Sequence, residues 1–361
     1  MRRYLGAASI VGLLLAALAA PPIALGATTS NVNCRSGADL QAAIAAAPPG
    51  GTLVIRGTCV GNFVIDKDLT LKGGRPKATL DARGSGTVLT IPAANRSTGA
   101  TVRILSVGIR GGNPAGIENW GRLTLESSTV RGNSGVGIVN NGDFGGTTVD
   151  LLRSAVSGNT GDGISSVWGH LTLRNSSVSG NTGNGLHGFD GLFELYHSRV
   201  SRNGGSGIVA GGQATFTFDH STVSGNKGRG IRVENGSVIV VDSTVSNNKG
   251  GGIYSGVLGF LTVRHSKVIG NTADFGAGIY IATHLDKDVV VEDSTINGNT
   301  AVTSGGGVYT EGNARGDALT RVVISHNTAG VSGGGIYKAG GSLILTDVVV
   351  CHNTPDDCFG C

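Results

Sequence analysis

The chain is poor in most of what a globular protein of its size uses. Its 361 residues include one methionine, two tryptophans and eight prolines, and aromatic residues make up 5%. Cysteine does not occur between Cys59 and Cys351. After residue 47 there is no long amphipathic helical pattern, and after residue 26 no apolar run long enough to cross a membrane. A helical bundle, a core of large aromatics and a membrane span in the mature chain are therefore not expected. Charged residues are also few, 14%, and the formal charge of +4 becomes +2 without Arg2 and Arg3. With no basic stripe, nothing supports nucleic-acid binding. Glycine is plentiful, at 63 residues, but has no three-residue period, which excludes collagen.

The first 26 residues read as a signal peptide. Arg2 and Arg3 precede an apolar run from Ile10 to Ala20, and Ala24-Leu25-Gly26 has the small-x-small form of a cleavage site. Arg2-Arg3-Tyr4-Leu5 weakly resembles a twin-arginine signal, so either export route is open. Residues 27–361 are then expected to be secreted and extracellular. Cysteines confined to the two ends suit an oxidising compartment and two stapled caps. Cys34 and Cys59 form the natural N-terminal disulfide. Cys351, Cys358 and Cys361 allow one bridge and leave a thiol over; Cys351 and Cys358 are the expected half-cystines, with the pairing open among the three. A zinc site from these three with His352 is the alternative.

The dominant feature is a repeat. SSVSGNTGNGL at 176–186 returns as STVSGNKGRGI at 221–231, and Asn133, Asn159, Asn181, Asn203, Asn226, Asn248, Asn271, Asn299, Asn327 and Asn353 recur every 22 to 28 residues. Asn113 is read as starting the series one register early. A fixed period in this range means a solenoid. Each period carries three short apolar beats, in the clearest copy Leu171-Thr172-Leu173, Ser177-Val178-Ser179 and Gly185-Leu186. Three strands make one triangular rung. About thirteen rungs, stacked in parallel at ~4.8 Å, give a rod on the order of 60 Å long.

The same logic assigns the recurring polar residues. Asn marks the bend between the second and third strands, where its amide can donate to one rung and accept from the next. The glycines after it are expected to supply positive φ or let the backbone pass without a Cβ. Ser128, Ser154, Ser176, Ser198, Ser221, Ser243, Ser266 and Ser294 mark the preceding bend. An open rung exposes strand edges, so caps are required. Ser36-x-x-Asp39 reads as a capping-box start, and Leu40, Ala43, Ile44 and Ala47 as one apolar helical face ended by Pro48-Pro49. Residues 34–51 are the expected N-terminal capping-helix region, and 351–361 a cysteine-rich C-terminal cap. The whole of 27–361 reads as one domain.

With the cap helix and GGTLVIRG, the recurring S-x-[VI]-x-G-N and G-x-G-[IV], and the closing NTPDDC, residues 34–361 resemble the right-handed parallel β-helix proteins of the pectin-lyase-like superfamily. The resemblance implies a right-handed, all-β helix and a cleft along the first strand face. It does not imply one function, since that fold serves lyases, hydrolases, esterases, epimerases, tailspikes and adhesins. The polygalacturonase N-T-D, G-H-G and R-I-K, the epimerase D-P-H-E, the esterase D-F-I-F-G and the pectate-lyase R-x-P-x-x-R are all missing. These absences count against catalysis.

Candidate site residues follow from aligning the rungs. The outward column of the first strand reads Thr124, Asp150, Thr172, Glu194, Thr217, Ile239, Thr262, Val290. Two residues on it reads Glu126, Leu152, Arg174, Tyr196, Asp219, Val241, Arg264, Glu292, and the next position includes His197, His220 and Asp242. A β-elimination on a uronate polymer would need a base (His197 or His220), a clamp for the carboxylate (Arg174 or Arg264) and an acid (Tyr196). Alternatively Glu194, Asp219 and Asp242 could hold Ca²⁺, the one cofactor this set suggests. The structural reading is that Asp, Asn and His precede Ser at a turn for local backbone reasons. On the far border of the face, Trp168, His187, Phe189 and Asp190 suit sugar contact, with Trp120, Phe144 and Phe260 nearby. Tyr254, Tyr280, Tyr309 and Tyr337 form a second column that cross-rung stacking explains. The preferred reading is a secreted scaffold contacting a polysaccharide or surface polymer along its side. A polysaccharide lyase or hydrolase acting on a uronate glycan is the alternative, and a structural or adhesive protein the third.

Overall fold

The computed structural model describes residues 28–75, 78–93, 99–142, 146–282, 289–311 and 316–361. The expected signal peptide and Phe144 lie outside them. The described chain is a parallel β-helix of three strand faces. The second face stacks thirteen strands, from Thr58–Val60 to Val349–Cys351, the number of rungs the repeat implies. The first face runs from Gly51–Arg56 to Leu343–Thr346 and the third from Phe63–Val64 to Cys358–Phe359. In Ile231–Val241 and Ile253–Arg264 a third-face strand passes into the next first-face strand without a break. The three beats bury as alternation requires: Leu171, Leu173, Val178 and Leu186 all point inward.

Two buried polar ladders hold the bends. Asn181 donates its backbone N–H and its Nδ2 to Asn203 Oδ1, at 3.1 and 3.0 Å, and accepts the same pair from Asn159 at 3.1 and 2.9 Å. Its second amide proton goes to the Val156 carbonyl at 3.4 Å. This pattern continues from Asn133 to Asn353. Asn113 stands outside it: Gly112 holds the rung position, donating its N–H to Asn133 Oδ1 at 2.9 Å, while Asn113 bridges Gly86. At the other bend Ser176 donates its N–H to Ser198 Oγ at 3.1 Å, and its hydroxyl lies 2.9 Å from the Arg174 carbonyl and 3.1 Å from that of Leu151.

The two roles expected of the glycines fall on different residues. Positive φ falls on the position before the Asn, as at Gly180 (65°), and in the longer rungs also after it, as at Gly276 (56°), Gly305 (70°) and Gly333 (64°). A later glycine gives passage: a Cβ on Gly185 would stand 2.4 Å from Val200 Cγ1 and 2.6 Å from the Gly207 carbonyl oxygen.

The N-terminal cap is one residue set away from the expected one. Asp39, not Ser36, is the N-cap of the helix Leu40–Ala46, accepting from Ala42 N–H at 3.1 Å. Ser36 closes a short turn, Cys34–Ser36, which Gly37 at φ 82° separates from the helix. Leu40 and Ile44 are buried on the first rung, and the Gln41 amide exchanges hydrogen bonds of 3.2 and 2.9 Å with the Val64 backbone. Strand Thr29–Asn33 pairs with Gly51–Arg56 and covers the first-face edge.

Cys34 is bonded to Cys59 as expected. At the other end the bridge is Cys358–Cys361, and Cys351 remains a thiol, in place of Cys351 with Cys358. The reason is the Asn353 bend. It puts Cys351 on a second-face strand opposite Ser325 and Cys358 on a third-face strand opposite Ile336, while Cys361 lies 6.0 Å from Cys358, Cα to Cα. The bridge also removes two ligands from the zinc alternative.

Where the Asn spacing lengthens to 28 residues, the extra chain forms a fourth, outer sheet of Thr272–Phe275, Thr300–Ser304 and Thr328–Ala329. Ala273, Ala277, Ala301 and Ala329 pack beneath it.

Candidate functional site

The outward columns read from the sequence are those the strand registers produce. Asp150, Thr172, Glu194 and Thr217 are successive partners on the first face, as are Leu152, Arg174, Tyr196 and Asp219. His197, His220 and Asp242 occupy the next position, at φ 50°, 49° and 47°, along with Ser127, Arg153, Asn175, His265 and Asp293. Left-handed backbone is costly for most side chains and least so for Asn, Asp and His, so backbone conformation accounts for much of this column's composition.

Within the column the side chains are not equivalent. The Arg174 guanidinium lies over the Tyr196 ring, 4.3 Å from its centroid, and Tyr196 donates its hydroxyl proton to Glu194 Oε1 at 3.0 Å. That hydrogen bond, with some shielding and the Glu194 charge, pushes the phenol above its ordinary pKa and keeps it protonated. Arg153 is paired with Glu126, and Arg264 with Glu292 at 2.8 Å. Among the described residues Arg174 has no carboxylate partner within ion-pair distance. Arg264, a second proposed clamp, is thus drawn to the next rung and away from Tyr196, four rungs (about 19 Å) from Arg174.

The rings of His197 and His220 stack at 5.0 Å, and His220 Nδ1 hydrogen-bonds Asp219 Oδ1. Asp219, His220 and Asp242 can bring one ligand atom each within 4.8 Å of one another. Glu194, the third carboxylate of the expected calcium set, is not in this group, because it is turned to Tyr196; His220 takes its place. One rung below Arg174, Asp150 is a residue the sequence aligned but did not single out. Burial pushes its carboxyl above the ordinary value, against a hydrogen bond from Thr172 and the Arg174 charge.

At the opposite border Trp168 and Phe189 are 44% and 45% exposed, on adjacent rungs where the third-face strands end, Phe189 pairing with Val167 beside Trp168. Asp190 does not share their exposure. It is 8% exposed and accepts the Gln213 N–H at 2.6 Å, which makes it a turn residue. His187 lies 3.5 Å from Asp162. Burial would raise the Asp162 carboxyl, but the hydrogen bonds from His187 and the Asn184 backbone outweigh that and hold it below its ordinary value. Trp120 is tied to Glu118 at 3.3 Å. The tyrosine column stacks as expected, with centroids 5.2, 5.0 and 5.1 Å apart from Tyr254 to Tyr337, and Phe359 extends it at 4.9 Å.

A pleated face with ionisable side chains at rung spacing, edged by exposed rings, is the property of a solenoid class. The chain belongs to the right handed beta helix region family, whose model matches residues 144–287 and 193–354. Among solved structures it is similar to the A-module of mannuronan C-5 epimerase AlgE6 from Azotobacter vinelandii, at 18% identity and a TM-score of 0.70, over 88% of this chain and 98% of that one. The AlgE4 A-module of the same organism follows at 15% and 0.65, over 88% and 97%. The periplasmic alginate epimerase AlgG matches at 13% and 0.52, over 89% and 84%. At these identities the likeness is one of fold. No curated protein sequence matches the chain.

Proposed function

We propose that the protein is secreted and binds an extended uronate-type polysaccharide across its first face, between Trp168 and Phe189 on one border and His197 and His220 on the other. The observation that carries this reading is Arg174. Its guanidinium lies over the Tyr196 ring and lacks a carboxylate partner among the described residues, so it can accept one from a ligand. Thr172, Glu194 and Tyr196 around it offer groups for sugar hydroxyls, and the exposed rings offer apolar contact for sugar C–H faces. The fold relatives, whose names refer to alginate and mannuronan, are consistent with such a ligand.

A second reading, β-elimination on the same polymer, is favoured by the stacked His197 and His220 beside a protonated Tyr196. His197 or His220 would remove the proton, Arg174 would hold the carboxylate, and Tyr196 would protonate the leaving oxygen. The missing family motifs favour binding. The test applies residues 27–361 to pectic, alginate and neutral polysaccharides, with calcium and then with chelator, following binding, unsaturated uronate and new reducing ends together. Binding without turnover, lost in Trp168→Ala and Arg174→Ala, supports the scaffold. Turnover lost in folded His197→Ala or His220→Ala supports the lyase. Retention of both properties in all these variants would leave neither standing.

A further inference from the structure

A second groove lies outside the first face, where the short rungs meet the long ones. Rungs carrying Asn226 and Asn248 have no outer strand; the next begins the fourth sheet with Thr272–Phe275. The step leaves a groove of about 570 Å³ lined by Arg229 and Lys249 and by Thr272, Asp274 and Phe275.

Its floor holds an unpaired cation. Arg229 is half-buried, with its guanidinium 4.4 Å from the Tyr254 centroid and 5.6 Å from that of Tyr280. Its Nη1 is shielded from solvent and meets no acceptor among the described residues. Gly251, at φ 108°, lies beside it, and a Cβ there would stand in ordinary contact, 3.4 Å from that nitrogen. An arginine kept out of water without a counterion is costly, and burial depresses its pKa. The tyrosine faces offset only part of that cost.

The surrounding groups narrow the ligand. Lys249 adds a second positive charge at the rim. The Thr272 and Thr300 hydroxyls and the Asp274 carboxylate can engage hydroxyl groups. Tyr254 has its faces occupied by Arg229 and Tyr280, so the available ring is Phe275, 44% exposed and edge-on to Tyr309 at 5.6 Å. An anion receptor, hydroxyl partners and one open ring match an acidic sugar.

We propose that this groove is a binding subsite for a carboxylated oligosaccharide, with Arg229 and Lys249 holding the carboxylate and Phe275 the sugar ring. It is separate from the first-face site and does not depend on it. The test is calorimetric titration of the full chain with a uronate trisaccharide, a glucose trisaccharide and triglutamate. The acidic sugar is expected to bind, and the neutral one at least about tenfold more weakly. Arg229→Gln should weaken the acidic sugar about tenfold, the scale of one lost charge-assisted contact. Phe275→Ala should weaken it by less, and Arg174→Ala should leave binding at this groove unchanged. If Arg229→Gln does not keep the wild-type circular dichroism spectrum, Lys249→Gln replaces it, with a weakening of severalfold expected. Unchanged affinity in the folded variants, loss with Arg174→Ala alone, equal binding of triglutamate, or no binding by the wild type would each overturn the assignment.

Discussion

Asp357 closes the asparagine ladder. Its Oδ1 accepts both the backbone N–H and the Nδ2 of Asn353, each at 2.9 Å, and so stands where the next Asn would be. The acidic pair seen in the C-terminal sequence is therefore structural, with Asp356 accepting the Gly333 N–H at 2.8 Å.

This contact makes stability pH-dependent. The two hydrogen bonds from Asn353 hold the Asp357 carboxyl below its ordinary value of 3.8. A depressed carboxyl contributes stability above its unfolded pKa and loses it as pH falls through the folded one. Asp357→Ala should lower Tm at pH 7. The gap to the wild type should narrow as pH falls below 3.8 and close once it is below the lowered folded value, and a gap that persisted there would mean that packing, not charge, is lost.

Inside the ladder the cost should be larger. Asn226→Ala strips Asn203 of its acceptor for two donors, leaves the Asn248 oxygen with only the residue 226 backbone N–H, and takes a donor from the Val200 carbonyl, all in buried surroundings. With about 1–3 kcal/mol for each group left unsatisfied, a loss of roughly 2–4 kcal/mol is expected in urea unfolding. Asn226→Asp should cost more still, since its carboxylate would face the Asn248 oxygen and the Val200 carbonyl.

Two glycines five residues apart should respond differently. Gly180 needs a positive φ but has nothing within 4 Å of a Cβ, so Gly180→Asn should change Tm little. At Gly185 a methyl group collides with backbone and side chain, and Gly185→Ala should cost on the order of 1–3 kcal/mol. Equal Tm values for the two variants would contradict the close passage of rungs at Gly185.

Asp150 has the opposite sign from Asp357. Burial raises its carboxyl, so its ionisation favours the unfolded chain, and stability falls as pH rises from 3.8 through the raised value. Asp150→Asn is expected to raise Tm at pH 7 and to match the wild type below pH 3.8. A lower Tm at pH 7 would show that the ionised carboxylate is held by Thr172 and Arg174 after all.

Much of this was readable from spacing alone. Parallel stacking turns a sequence interval into a column, so the Asn and Ser ladders and the partners of Arg174, Tyr196 and Asp219 follow directly from alignment. What spacing does not carry is the direction a side chain takes within its column. That Glu194 turns to Tyr196, Arg264 to Glu292 and Asp190 into its turn depends on local partners. The cysteine pairing failed for a related reason: three cysteines close in sequence are divided between faces by one bend. The fourth sheet had a visible trace in the 28-residue intervals, but that the step beside it uncovers Arg229 depends on how the long rung folds over the short one.

The ladder that begins at Gly112 and ends at Asp357 also has a sense. In every rung the amide oxygen accepts from the rung before and one amide proton goes to the oxygen of the rung after, so the C=O to N–H sense is the same throughout and these dipoles add along the rod as hydrogen bonds in series do. The positive end of this column lies at Asn353, and the group set against it is a carboxylate. Beneath a nearly neutral surface the protein thus has an internal electrical axis, closed at one end by a backbone N–H and at the other by a full negative charge, much as an acidic residue closes the N-terminus of an α-helix.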